Sequence, residues 1–321
     1  MATIGTWWMW AGFFVLVLAF ILMDLFLLGG RKAHKVGVKE AAGWSIFWVS
    51  IAMAFAAALW FWLDATSGRE IANLRTTEFV TGYLIEKSLA VDNVFVWLMI
   101  FSYFAVPIEY QRRVLLYGVV GAIVLRTVMI LAGAVLIAKF HWILYLFGAF
   151  LIITGIKMLI VADGESDLAK NPVLRWMRGH LRITDKIEDE SFTVVRNGVR
   201  WFTPMFVVLV LVEISDVIFA VDSIPAIFAI TTDPFIVLTS NIFAILGLRA
   251  MYFLLADMAD RFVYLKHALA IVLLFIGAKM MLVEWYKIPI GISLGVVATI
   301  IATGVIASLW RTRKALPATH T

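Results

Sequence analysis

Nine stretches of about 20 mostly apolar residues dominate this sequence, at 7–28, 43–63, 79–103, 113–138, 142–162, 203–227, 236–256, 267–285 and 289–310. A helix of that length crosses the hydrocarbon core of a bilayer. A soluble fold has no place for so many. Of the 321 residues, 63% are hydrophobic and 15% charged, against roughly 45–50% and 25% in soluble domains. The surplus faces lipid. The expected fold is therefore all-α, a polytopic transmembrane bundle of about nine helices. Trp7, Trp8, Trp10, Trp44, Trp60, Trp62, Trp142, Trp285, Tyr286 and Trp310 mark segment ends, as interfacial aromatics do.

Lysines and arginines alternate between connections. Arg31, Lys32, Lys35 and Lys39 follow the first segment, Arg112 and Arg113 follow the third, and seven cations fill 163–202. Arg311, Arg313 and Lys314 follow the ninth. The other connections are poorer in cations. The positive-inside rule then places the N-terminus outside and the C-terminus in the cytoplasm. The net charge of +5 reflects this asymmetry and does not suggest nucleic acid. Met1–Thr6 carries no cation and no small-residue cleavage site follows, so the first segment reads as a retained helix. Within 163–202, Leu174–Leu181 (LRWMRGHL) reads either as an interfacial amphipathic helix or as part of a solvated charged linker.

The two halves share motifs. The third segment contains Glu86-Lys-Ser-Leu-Ala-Val-Asp92-Asn93 and the sixth Asp216-Val-Ile-Phe-Ala-Val-Asp222-Ser223. Leu125-Arg126 matches Leu248-Arg249, and Gly155-Ile-Lys157-Met158 matches Gly277-Ala-Lys279-Met280. Three matches in one order imply a three-helix repeat. An odd helix count makes its topology inverted, an arrangement that places transporter sites near the midplane between repeats. The expected organisation is 1–78 with the first two helices, 79–162 as the first repeat, 163–202 as a cytoplasmic loop, 203–285 as the second repeat, and 286–321 as the last helix and tail.

A charge at the bilayer centre costs roughly 2.5–3.5 kcal/mol on insertion scales, so each is a functional candidate. Glu86, Asp92, Glu213, Asp216 and Asp222 lie in or near segment interiors, beside Asn93 and Ser223. With no cysteine and no histidine deep in a span, the donors are all oxygens, which suit Mn²⁺, Mg²⁺ or Ca²⁺. At about 100° per residue, Glu86 and Asn93 share a helix face and Asp92 lies roughly 120° away. Asp216 and Ser223 share a face in the same way. Either a helix unwinds locally, as Pro225 would favour in the sixth segment, or Asp92 and Asp222 meet across the repeat axis. The competing reading is that the acids neutralise Arg126, Arg249 and Lys87, but acids outnumber those cations. Lys157 and Lys279 read as snorkelling side chains. Asp24 reads as an accessory ligand or an interfacial acid, and Asp257 and Glu284 as interfacial. Gly118, Gly121, Gly133, Gly148 and Gly155 allow close helix packing.

EKSLAVDNVFV (86–96) and EISDVIFAVDSIPA (213–226) resemble the signature segments of the TerC family of membrane proteins, and the resemblance extends over essentially the whole chain. It implies a multi-pass protein of the bacterial inner membrane concerned with metal homeostasis, with Mn²⁺ export as the expected activity and the motif acids as its site. The choice of Mn²⁺ over Ca²⁺ comes from the resemblance alone. No Walker, HExxH or GxSxG pattern occurs, so neither ATP hydrolysis nor an enzyme is expected. No prosthetic group is expected, and Mn²⁺ is expected as substrate. The leading expectation is proton-coupled exchange by alternating access. The alternative is a non-transporting metal- or pH-sensing or metal-delivery module. Self-association and an accessory membrane partner stay open.

Overall fold

The computed structural model describes residues 3–24, 37–140, 142–160, 171–256, 264–282, 285 and 288–315. Among them are eleven helices: α1 (Trp7–Met23), α2 (Val38–Ser67), α3 (Arg69–Tyr103), α4 (Ile108–Lys139), α5 (Ile143–Ile160), α6 (Pro172–His180), α7 (Pro204–Phe228), α8 (Pro234–Leu246), α9 (Leu248–Ala256), α10 (Leu265–Met281) and α11 (Ile290–Ala315). The protein is an all-α polytopic membrane protein.

Five of these helices are long and apolar enough to cross a membrane: α2, α4, α5, α7 and α11. A sixth span arises if α8 and α9, bent by 42° at Gly247, count as one. Nine spans were expected. The other three are α1 and α10, each with 17 residues among those described, and α3, which interrupts its apolar sequence with Glu86, Lys87 and Asp92. Outward-facing Val15, Phe61, Val128, Ile153, Ile218 and Ile306 are each more than half exposed, a lipid-facing pattern.

The core is built around α3 and α8. α3 packs on α2, α7, α8, α9, α10 and α11. Every residue of α8 is buried, as expected of a helix that is apolar on all sides. The Asp233 side chain caps α8 by accepting from the Phe235 amide, with Pro234 at the first helical position. The same carboxylate accepts from the Thr3 hydroxyl and the Ile4 amide, so it ties the chain before α1 to the start of α8.

Each motif helix packs against the helix bearing its sequence counterpart: α3 against α7, α4 against α8 and α9, α5 against α10. At the last contact, small residues bring backbones together. A Cβ at Gly277 would stand 2.8 Å from the Gly148 carbonyl oxygen, so glycine is required there. α7 runs unbroken through Pro225, which removes the expectation of a local break. Pro225 is three residues from the helix end, so the one bond it cannot make, to the Val221 carbonyl, and the clash of its ring disturb the last turn alone.

The segment 171–202 is more ordered than a charged linker. Asn171 caps α6 by accepting from the Val173 and Leu174 amides, so most of the stretch Leu174–Leu181 is helical, with Leu174 and Met177 on its buried side. Strands β1 (Thr193–Arg196) and β2 (Val199–Phe202) then form an antiparallel hairpin. The turn Asn197-Gly198 has positive φ at both residues, 51° and 74°, the geometry that an Asn-Gly dipeptide favours.

Candidate functional site

Arg126, from the middle of α4, is fully enclosed and anchors a polar cluster drawn from four helices. α3 supplies Glu86 and Asn93, one face of the helix seven residues apart. α7 supplies Asp216 and Ser223 with the same spacing. α8 supplies Asn241. All six side chains are buried.

The guanidinium spends its planar fork of donors on this ring. Nη2 and Nε donate to the two oxygens of Asp216 at 2.7 and 3.1 Å. Nη1 pairs with Glu86 and also donates to Ser223 Oγ at 3.3 Å and Asn241 Oδ1 at 3.2 Å. The ring is cross-braced. Asn93 Nδ2 donates to Asp216 Oδ1, and Asn241 Nδ2 donates to Glu86 Oε2, each at 3.1 Å. Two carboxylates face one guanidinium, leaving one net negative charge. A buried pair is tolerated only with such complete bonding. One oxygen in the cluster, Asn93 Oδ1, is buried without a hydrogen-bond partner.

The other expected site residues lie elsewhere. Asp222, one residue before Ser223, points to α5, where its Oδ1 accepts from Thr154 Oγ1 at 3.2 Å. It is absent from the Arg126 ring because successive helical residues diverge by about 100°. The Asp92 side chain lies outside the described residues, as do Asp257 and Glu284. Glu213 stands one turn before Asp216, with Oε2 buried and unpartnered. Its carboxylate occupies the space that a Cβ on Gly121 would need. Gly121 therefore makes room for an acid as well as for a helix.

The two remaining cations do not join the ring. Arg249 pairs with Asp24 at 2.6 Å, both buried, so it neutralises an acid at the end of α1 instead of a motif acid. Lys87 forms no ion pair with Glu86 among the described residues. Its ammonium donates to the Ala244 carbonyl at 3.1 Å. The bend at Gly247 frees carbonyls at the end of α8, and a cation there satisfies one of them.

Among the described residues no three acidic, histidine or cysteine side chains gather closely enough to hold a metal ion. The ring instead offers two carboxylates, two amides and a hydroxyl around one cation. Asn241 is the member that sequence reasoning misses. Its signal is a lone amide in the uncharged, mostly apolar stretch PFIVLTSNIFAIL.

A smaller cavity of about 270 Å³ opens at the start of α3, lined by Arg75, Glu78, Thr231 and Lys279. Arg75 Nη1 holds Glu78 Oε2 at 2.8 Å. Lys279 thus borders this pocket.

Residues 72–316 match the family described as "Integral membrane protein TerC family". A protein of Salmonella typhi named "Putative membrane-bound redox modulator Alx" is 60% identical over 310 residues, 97% of this chain and 96% of its own length. Its namesake in Escherichia coli K12 is 59% identical, covering 97% of each chain. The membrane protein STKORF319 of Myxococcus xanthus is 46% identical over 98% of this chain and 95% of its own. No solved structure matches. This chain belongs to the TerC family of integral membrane proteins.

Proposed function

We propose that this protein exports a hard divalent cation, Mn²⁺ foremost, across the bacterial inner membrane by alternating access and in exchange for protons. The observation that carries the reading is Arg126 closed within a ring of oxygen donors at the contact of α3, α4, α7 and α8. The donors are those a hard divalent ion takes. Arg126 leaves Glu86 and Asp216 with one uncompensated charge. A divalent ion in its place brings the pair to neutrality. The guanidinium thus acts as a tethered counter-ion that keeps the empty site stable and yields to the substrate. The repeated motifs of the two halves support an inverted arrangement, and the cation-rich connections support an N-terminus outside and a C-terminus in the cytoplasm.

The relatives' names speak of redox modulation. This chain has no cysteine and so no thiol couple of its own. An effect on redox balance would run through the transported metal or through an accessory partner.

The test uses bacterial cells lacking other manganese exporters and challenged with external Mn²⁺. Total cellular manganese is measured with the intact protein, with Glu86→Gln/Asp216→Asn, and with empty vector, at matched membrane abundance. Export predicts that only the intact protein lowers cellular manganese. If it leaves manganese at the vector level while the purified protein still binds Mn²⁺, the export reading falls and a metal-sensing or metal-delivery module replaces it. Proton coupling predicts that an imposed pH gradient drives Mn²⁺ flux in proteoliposomes, and flux indifferent to the gradient refutes it.

A further inference from the structure

A second and larger cavity has no part in the Arg126 ring. On the cation-rich side of the bundle, the segment 171–202 and the facing ends of α3 and α7 line an open cavity of about 850 Å³, within the range of small-ligand sites. Tyr103 and Phe104, at the end of α3, and Pro204, at the start of α7, line it from the membrane side. Arg178, Arg182 and Lys186 line it from the loop side, against a single acid, Asp185.

These three cations are uncommitted. The ion pairs of this region join Arg113 to Glu190 and Arg196 to Glu188. Among the described residues, the side chains of Arg178, Arg182 and Lys186 have no ion-pair or hydrogen-bond partner. Among the described residues, the lining therefore carries two net positive charges, three cations less one acid. Its lining is also aromatic. Tyr103, Phe104 and Trp201 contribute to it, Tyr103 being 43% exposed, while α6 turns Leu174 and Met177 inward. Exposed aromatics of this kind sit at the headgroup level of a bilayer.

We propose that this cavity binds the phosphate headgroup of an anionic phospholipid from the leaflet on the basic side of the protein. Free arginine and lysine donors recognise a phosphate. Basic pockets beside membrane helices on the cytoplasmic side capture anionic headgroups. The cavity touches both the membrane rim and the loop, so a bound lipid joins the two. It also stands beside the start of α7, where Thr203 is held by the Ser191 and Phe192 carbonyls. Occupancy would steady the loop against the helix that carries Asp216. This site does not depend on the identity of the transported ion.

The experiment titrates the purified full-length protein in neutral detergent with short-chain phosphatidylglycerol, short-chain phosphatidylcholine and inorganic phosphate, reading binding by native mass spectrometry. Two variants accompany it: Arg178→Gln/Arg182→Gln inside the cavity, and Arg175→Gln/Arg200→Gln, two exposed cations of the same segment outside its lining. The expected result is saturable binding of phosphatidylglycerol and none of phosphatidylcholine. The cavity variant should weaken it about twenty-fivefold, since each basic residue near anionic lipid contributes roughly fivefold. The control variant should bind as the intact protein does. All four side chains are exposed, so folding should survive. Equal binding by the cavity variant, or equal loss in both variants, overturns the site. Inorganic phosphate that displaces the lipid at comparable concentration overturns the lipid assignment in favour of a soluble anion.

Discussion

Arg126 of α4 and Asp216 of α7 meet through two near-parallel hydrogen bonds, Nη2 to Oδ1 at 2.7 Å and Nε to Oδ2 at 3.1 Å. This bidentate geometry belongs to arginine and not to lysine. It binds the two halves of the sequence at the centre of the buried ring.

Arg126→Gln should therefore do two opposite things. Without metal it leaves Glu86 and Asp216 buried and uncompensated, which costs about 3–5 kcal/mol. With Mn²⁺ present, the vacated ring should bind metal more tightly than in the intact protein, and the lost stability should return. Thermal unfolding with and without Mn²⁺ measures both. A variant that folds normally and binds Mn²⁺ with unchanged affinity would rule out the counter-ion role.

Asn241→Ala should weaken the ring from the side of α8. It removes the donor to Glu86 Oε2 and the acceptor for Arg126 Nη1. Hydrogen bonds to charged groups contribute about 1.5–3 kcal/mol each, so a loss of about 3–6 kcal/mol is expected, together with reduced metal flux at matched abundance. Chemical denaturation in detergent and vesicle flux assays would show it. Full flux from this variant would place Asn241 outside the site.

Much of this arrangement is legible in the amino-acid sequence. The apolar runs dictate an all-α membrane fold, because their length suits helices and an open sheet does not survive in lipid. Helical phase puts Glu86 with Asn93 and Asp216 with Ser223, and these four are among the residues that surround Arg126. Phase alone does not say which helices face one another. It does not assign Arg249 to Asp24, 225 positions away in sequence. Nor does it show Lys87 satisfying the end of α8, because the bend at Gly247 is a matter of packing. Asn241 is inconspicuous because a neutral amide in an apolar run does not carry the cost that makes a buried charge stand out. The hairpin at 193–202 has its signal in Asn197-Gly198, but the dense charge of the flanking loop masks it.

Gly121→Ala should be destabilising because of one neighbour, Glu213. The added Cβ enters the space of its carboxylate. Overpacking of a filled site costs about 1–3 kcal/mol. Glu213→Ala removes the obstruction, so the double variant should lose less than the two single variants combined, with a coupling of about 0.5–3 kcal/mol. A double-mutant cycle on unfolding free energy measures this. Strict additivity would mean that Gly121 serves helix packing alone.

Asp233 makes a different kind of connection, and its two functions can be separated. Oδ1 accepts from the Phe235 amide at 3.0 Å and from Thr3 Oγ1 at 2.8 Å, while Oδ2 accepts from the Ile4 amide at 2.8 Å. Asp233→Ala loses the cap of α8 and the tether of the N-terminal segment together. The cap alone costs about 0.5–2 kcal/mol, so a total above that range is expected. Asp233→Asn keeps one acceptor oxygen. It should preserve the cap, since asparagine caps as well as aspartate, while freeing the Ile4 amide. Hydrogen exchange should then accelerate at Ile4 but not at Phe235. If both amides stay protected in Asp233→Asn, the N-terminal segment is held by the aromatic contacts of Trp10 and Phe13 with Phe235 and not by the carboxylate.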